Sequence, residues 1–373
     1  MLDDTKYWIA FNMVRGIGAV RFQQIRAFFG DLSLAWDAPG SAFKEAGLPA
    51  RVVSNLLQLR DSMDLDRVYE SILEQDVSVL TLLDEDYPRL LQEIDQSPPV
   101  LYVRGELTPA DEFAVALVGT RRVSAYGQQI TRDVSLFLAG NGLTIVSGLA
   151  RGVDGLAHQH ALQAGGRTIA VLGSGVDVIY PPEHRKLADA ILENGAIVSD
   201  YPMGTQPEGV NFPPRNRIIS GLSLATVVIE AGERSGALIT ADFALEQGRD
   251  VFAVPGNVLS PASRGTNRLS QKGAYPLVSP KDVLDVLDLN QVEAIKTARQ
   301  VLPADETEAK ILQLLGYEPK HVDQVCNQAS LPIERVSAAL TLMELKGMVQ
   351  HVGGMRYTAV RENNRVQGEG HDG

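Results

Sequence analysis

Glycines, arginines and small polar residues recur together at a series of joints in the middle of this 373-residue chain. The first joint, Val118–Gly127 (VGTRRVSAYG), holds Gly119, Thr120, Arg121, Ser124 and Gly127. The second, Ser147–Leu162, holds Ser147, Gly148, Arg151 and Gly152, and the third is the turn Gly173, Ser174 and Gly175. The fourth, FPPRNR, brings Phe212, Arg215, Asn216 and Arg217. The fifth puts Ser235 and Gly236 at a helix start, and the sixth collects Gly256, Asn257, Arg264, Gly265 and Asn267 in one loop. A glycine turn lets backbone N–H groups close on an anion, and a helix beginning there adds its positive end. Arginine adds a planar fork for phosphate. One such joint carries little weight. Their repetition argues for a surface that holds several phosphates of one polymer.

Some of these residues have two readings. Arg121, flanked by hydroxyls and free amides, is a phosphate ligand or a surface salt-bridge partner. Phe212 precedes two prolines and stands beside arginines. It is either an outward loop residue on which a base stacks, as single-strand binding requires, or a core phenylalanine. Asp154 is placed to cap the helix that follows the second joint. His158 and His160 lie two apart on a helix and so point to different faces, which favours structural or surface roles over a metal site. Glu230 and Asp200, at strand ends, are the best catalytic candidates, and each is equally well explained as a partner for a nearby arginine. The chain has no Walker lysine, no serine nucleophile elbow, no paired carboxylates in a plausible acid/base arrangement and no His/Asp/Glu cluster at metal spacing. Neither a metal nor a cofactor is expected.

The elements that must position these joints alternate. Apolar runs at Phe113–Val118, Leu143–Val146, Thr168–Leu172, Ala196–Ser199, Ala225–Ile229 and Val251–Val254 read as strands. Between them, Gly127–Ala139, Val153–Ala164, Glu183–Glu193, Arg215–Leu222 and Ala237–Glu246 have helical spacing. Strands buried on both faces and alternating with helices indicate an α/β fold with a doubly wound, mostly parallel sheet. Ligands of such sheets bind outside the carboxyl ends of the strands, where every one of these joints falls. Residues 1–75 read as a helical module whose RGIGAVRF turn, with Gly16 and Gly18, resembles a helix-hairpin-helix; a weaker copy lies at Ala46–Leu56. It either meets phosphate or serves only as packing. Residues 76–290 form the α/β domain with a leading connector that contains a strand at Val77–Leu82. After a linker at 291–304, residues 305–361 read as three helices and a β-hairpin, a winged helix, and 362–373 as a disordered tail.

The net charge of −12 argues against a general nucleic-acid coat protein, so its distribution matters. Residues 1–110 carry 10 Lys/Arg against 17 Asp/Glu, whereas residues 111–290 carry 15 against 18. Many of the latter cations are arginines at glycine turns, which is compatible with a focused positive groove on an acidic body. The N-terminus lacks the pattern of a signal peptide, no apolar run is long enough to span a membrane, and Cys326 is the single cysteine. A cytoplasmic protein with no membrane partner is expected.

In order, GTRRVSAYG, SGLARGVDGLAH, TIAVLGSGVDVIYP, FPPRNRIISGLS, SGALITADFAL and VFAVPGN resemble the DNA-processing protein A (DprA/Smf) family closely over Leu80 to Leu287. The resemblance implies an extended Rossmann-like domain with an N-terminal helix-hairpin-helix or SAM-like module and a C-terminal winged helix. It further implies a homodimer that binds single-stranded DNA, helps load RecA during natural transformation and meets single-strand-binding protein. By the same resemblance Arg121 is a strand-binding arginine, the Gly/Ser/Thr turns are phosphate pockets and Phe212 is a stacking residue. A related Rossmann-like family cleaves nucleoside monophosphates at a PGGxGT…E loop, so an enzyme of that kind is the rival expectation. Here PGNVLSP and EAGERSGALIT stand in place of that loop.

Overall fold

The structure, a computed structural model, describes residues 4–289, 306–315, 319–345 and 348–359. The expected linker at 291–304 and tail at 362–373 lie outside the described residues. The chain divides into two compact units, Met1–Asn290 and Gln291–Gly373.

The first unit is built on a nine-stranded sheet: β1 (Val77–Thr81), β2 (Val100–Gly105), β3 (Ala114–Val118), β4 (Thr144–Ser147), β5 (Thr168–Val171), β6 (Gly195–Ser199), β7 (Ala225–Val228), β8 (Asp250–Ala253) and β9 (Tyr275–Pro276). Their spatial order is β1-β2-β6-β5-β4-β3-β7-β8-β9. From β6 to β9 all pairs are parallel, while β2 joins β6, and β1 joins β2, antiparallel. Every residue of β3, β4, β5, β6 and β7 is buried, because helices cover both faces. The strand β2 and the two-residue β9 were not among the expected strands.

Six helices precede the sheet: α1 (Thr5–Met13), α2 (Ala19–Phe29), α3 (Leu32–Asp37), α4 (Gly40–Glu45), α5 (Ala50–Ser62) and α6 (Leu65–Leu73). They do not form a separate core. Trp8, Phe11, Phe22 and Phe43 belong to the same apolar cluster as Tyr102 of β2, Ala170 of β5 and Ile197 of β6. The break expected near residue 75 is thus a change of secondary structure within one packed unit. The glycine turn joins α1 to α2, and a second turn joins α4 to α5.

Within and around the sheet run α7 (Arg89–Gln92), α8 (Ala125–Gly140), α9 (Val153–Gln163), α10 (Arg185–Glu193), α11 (Phe212–Gly221), α12 (Gly236–Glu246), α13 (Arg264–Gln271) and α14 (Lys281–Val286). The helix α11 begins at Phe212, three residues before the expected start, and takes Pro213 and Pro214 into its first turn. Prolines are tolerated there because first-turn N–H groups have no partner within the helix.

The second unit contains α15 (Glu306–Leu315), α16 (Val322–Ala329) and α17 (Ile333–Leu345) around Ile311, Val325, Val336, Leu340 and Met343. Its sheet of β10 (Lys320–His321), β11 (Val349–His351) and β12 (Arg356–Ala359) has the order β10-β12-β11. Three helices with a β-hairpin match the expected winged helix; the short β10 is an addition.

Candidate nucleic-acid interface

Strand order reverses about β3. The chain winds outward from β3 through β4, β5 and β6, then crosses back to place β7 on the other side of β3. That reversal opens a crevice beyond the carboxyl ends of β3 and β7, the place where open α/β sheets bind ligands. A cleft of about 820 Å³ lies there, lined by the turn after β3, the first residues of α11 and the start of α12.

The turn after β3 is held firmly. The Thr120 N–H donates to the Glu230 carbonyl at 2.7 Å, tying it to the end of β7. The Glu230 carboxylate accepts the Ser124 N–H at 2.8 Å, and the Ser124 hydroxyl accepts the Gly127 N–H at 3.1 Å as the cap of α8. Gly127 packs directly on that carboxylate: a Cβ there would sit 2.6 Å from Glu230 Oε2. The positive end of α8 is therefore already met by a buried acid. Glu230 serves the turn and has no arginine ion-pair partner among the described residues, unlike the partner role the sequence suggested. Gly152 faces the same turn with φ of +79°, and a Cβ there would lie 2.3 Å from the Thr120 carbonyl. Only glycine allows the start of α9 to come so near.

Arg121 stands exposed at the mouth of the cleft. Its Cζ lies over the Phe212 ring, 5.5 Å from the centroid, and it has no ion-pair partner among the described residues. Thr120 and Gly119 are half-buried beside it. Phe212 is neither an outward loop residue nor a core residue. It is half-buried at the first position of α11, next to Tyr180 at 5.7 Å between ring centroids, with Gly173 beneath it. Across the cleft, Ser235 caps α12 by accepting the Ala237 N–H at 3.3 Å, leaving Gly236 and Arg234 exposed.

Several anticipated phosphate ligands are spent inside the protein. Arg215, 4 % exposed, donates to the carbonyls of Gly148 and Val171. Arg217 donates to the Gln96 and Pro214 carbonyls and pairs with Asp200 at 2.8 Å; it does not line this cleft. The arginine-partner reading of Asp200 thus holds. Asn216 is buried at the cleft wall and donates to the Gly236 carbonyl at 3.3 Å. Ser147 donates to the Leu117 carbonyl and Ser174 to the Val178 carbonyl, and Gly173 and Gly175 are buried. Arg151 is exposed but paired with Glu183. The sixth joint closes on itself. Asn267 accepts the Gly256 N–H and donates to the Gly256 carbonyl, each at 3.1 Å, and the Asn257 side chain accepts the Leu259 N–H. Arg264 is exposed at the start of α13, outside this cleft.

Asp154 is not the expected cap: Gly152 occupies that position, and Asp154 is buried in the first turn of α9. A Cβ on Gly148 would fall 2.8 Å from both the Arg215 guanidinium and Asp154 Oδ2, so both groups border the space that glycine leaves open. Burial pushes the Asp154 carboxyl up to about 6, the nearby Arg215 charge partly opposing it. Burial likewise lowers Arg215, to about 10. His158 is buried with Nδ1 2.7 Å from the Thr168 hydroxyl and held well below the usual imidazole range by burial; His160 pairs with Gln163. Both are structural, and no His/Cys/Asp/Glu group able to hold a metal occurs among the described residues.

Summed over its lining, the cleft carries Arg121, Arg122, Arg215 and Arg234 against the single acid Asp154. This concentrated positive charge sits on a chain of net charge −12. Arg122, Arg234 and Tyr180 belong to the lining although the sequence had not marked them as ligands. Arg122 and Arg234 adjoin marked residues, and that adjacency was the available signal.

Residues 78–288 match the family model described as DNA recombination-mediator protein A, and residues 296–355 match the DprA winged helix domain. Protein Smf of Synechocystis is 38 % identical over 95 % of this chain and 98 % of its own length. The structure of DNA processing protein A from Streptococcus pneumoniae aligns with a TM-score of 0.67 at 36 % identity, covering 75 % of this chain and 97 % of that one. DNA processing protein A from Helicobacter pylori, whose structure concerns a single-stranded DNA binding mode, aligns with a TM-score of 0.51 at 32 % identity, over 57 % of this chain and 95 % of that one. With a matching family model over more than half its length and a relative similar end to end, this chain belongs to the DprA/Smf family of DNA recombination-mediator proteins.

Proposed function

We propose that this chain is a non-enzymatic recombination mediator that holds single-stranded DNA in the cleft between β3 and β7. The carrying observation is the lining: four arginines and one acid on a protein of net charge −12. Such a site attracts a polyanion locally while the rest of the surface repels it. Arg121, Arg122 and Arg234 are the open phosphate ligands in this reading, with the Thr120 hydroxyl and the backbone of Gly119 and Gly236 beside them. The buried members of the marked joints hold these groups in place. The single-stranded DNA binding mode described for the Helicobacter pylori relative supports a single strand as the ligand. A titration of the full chain with oligo-dT and with duplex of equal length, at one salt concentration, tests this; equal or tighter duplex binding refutes it.

The nucleotide-cleaving alternative is less well supported. Glu230 is committed to the Ser124 N–H, and the cleft's acid, Asp154, is buried against Arg215. Free base released from nucleoside monophosphates would favour it.

The family resemblance supports two further steps, delivery of the strand to RecA beside single-strand-binding protein, and pairing into a homodimer. Val258, Leu259, Tyr275 and Val278 are exposed at 76, 82, 45 and 84 % near the β8–β9 edge of the sheet. An exposed apolar patch at a sheet edge is suited to a second copy. Sedimentation of wild type and Leu259→Asp checks the dimer, and stimulation of RecA filament formation on coated oligo-dT checks the delivery.

A further inference from the structure

None of the six N-terminal helices lines the strand cleft, yet α1 reaches the support of α11. The contact is Asn12. Its Nδ2 donates to the Asp200 carbonyl just past β6 at 3.2 Å, and its Oδ1 accepts the hydroxyl of Tyr102 in β2 at 3.0 Å. With one end of the amide donating and the other accepting, its orientation is fixed. Asp200 passes the contact on. Its Oδ2 accepts from the Arg217 guanidinium at 2.8 Å, while its Oδ1 is buried with no hydrogen-bond partner among the described residues. The carboxylate is therefore placed by Arg217 on one side and by its own backbone, which Asn12 holds, on the other. Arg217 in turn donates to the carbonyls of Gln96 and Pro214, the latter in the first turn of α11. Between α1 and α11 lies a second cleft, about 950 Å³, with Asn12 and Met13 of the one helix and Pro213, Pro214 and Arg217 of the other in its wall. The polar line through Asp200 bridges that gap. Hydrogen bonds in series away from water reinforce one another, so such a line can carry a change at one end to the other.

We propose that Asn12 is a positioning residue for strand binding: through Asp200 and Arg217 it fixes the first turn of α11, and with it one wall of the strand cleft. This role rests on the reading of the cleft between β3 and β7 as a strand-binding site. It gives the N-terminal helices a task there that needs no contact with DNA. A residue that merely stabilised those helices would lower the melting temperature and leave α11 as it was. A positioning residue, once lost, loosens α11 in the protein that remains folded.

The test uses the full chain with Asn12→Ala, Asp200→Asn, the two combined, and Arg121→Ala, each at a temperature where it is fully folded. Tyr102→Phe removes only the hydroxyl that orients the Asn12 amide; it is the milder cut and should shift both readouts the same way. The first readout is amide hydrogen exchange of residues 215–221 of α11 in the DNA-free protein. Asn12→Ala should speed it while exchange in β3 stays as in wild type. The second is affinity for oligo-dT, which should fall about 2- to 10-fold, the effect of one lost buried hydrogen bond. The salt slope should not change, because no phosphate contact is removed. Asn12→Ala should cost less in the Asp200→Asn background than in wild type, since the line is already cut there. Wild-type exchange in residues 215–221 overturns the proposal, and so does an affinity loss of equal size in both backgrounds. If α11 loosens with no loss of affinity, Arg121→Ala decides between the two claims. Weakened binding in that variant keeps the cleft as the strand site and overturns the role of Asn12. Unchanged binding in both variants means that the strand-binding reading of the cleft is what fails.

Discussion

Replacing Arg121 with alanine separates contact with the strand from support of the fold. The side chain is exposed at the cleft mouth, its guanidinium lies over the Phe212 ring at 5.5 Å, and no acid pairs with it among the described residues. Losing one charge-assisted phosphate contact costs about 1–3 kcal/mol, or roughly 5- to 150-fold in Kd for oligo-dT. One fewer neutralised phosphate should also make the log–log salt dependence shallower by about 0.7 for a single strand. The fold should barely notice, because an exposed cation–ring contact contributes about 0.5–1 kcal/mol, a Tm change of about 1–4 °C. The charge of Arg121 also helps hold Asp154 ionised, so the comparison belongs at pH 8, well above the raised Asp154 value of about 6. The assay is fluorescence anisotropy with labelled oligo-dT at four salt concentrations, with a melting curve for each protein. A variant that melts normally, binds as tightly and keeps the wild-type slope would show that this turn is not a phosphate site.

Asp200→Ala leaves the buried Arg217 guanidinium without its acid partner at 2.8 Å, and should cost about 3–5 kcal/mol of stability in urea unfolding. Asp154→Asn probes pH. The folded Asp154 value, about 6, lies above the ordinary 3.8, so this group's stability contribution is fully present below pH 3.8 and is lost as pH rises through 6. Relative to wild type, Asp154→Asn should therefore flatten the stability profile across that window by an amount on the order of a few kcal/mol, measured as unfolding midpoints from pH 4 to 8. Gly152→Ala places a Cβ 2.3 Å from the Thr120 carbonyl at a φ of +79°, so it should lose about 2 kcal/mol or more and weaken oligo-dT binding through the displaced turn. A variant with wild-type stability and affinity would show that the two turns are not packed as described.

The sheet was legible because its central strands are short apolar runs buried on both faces, each too short for a helix and alternating with helically spaced segments. The strand β2 was less so. Its VLYVRG run follows Pro98 and Pro99 in a stretch that reads as punctuation, and its pairing with β6 joins segments more than 90 residues apart. The strand β9 is two residues long and ends in proline at a sheet edge, which no periodicity can mark. The start of α11 was misplaced because two prolines after Phe212 look like a loop, although the first helical turn is the one place in a helix that accepts them. The positions of the joints beyond the strand ends were readable. The division of labour among them was not. Gly127 makes room for Glu230, which lies about a hundred residues later, and Gly148 makes room for Arg215 and Asp154. In sequence, a glycine that admits a neighbouring side chain looks the same as one that admits a phosphate.

The same ambiguity governs the arginines, and it bears on how the site is built. Arg215 ties the carbonyls of Gly148, just past β4, and Val171, at the end of β5, to the first turn of α11. Arg217 ties α11 to Gln96 and Asp200. Both therefore act from beneath, fixing the helix that presents Phe212, while Arg121 stands above it and remains open. Removing a buried arginine from this base would also weaken strand binding, yet by a different route. The carbonyls it served would lose their donors, the melting temperature would fall, and the number of phosphates neutralised by the molecules that stay folded would change little. Loss of affinity alone cannot tell these arginines apart. Salt slope and melting temperature measured together can, because a contact residue moves the first and a supporting residue moves the second.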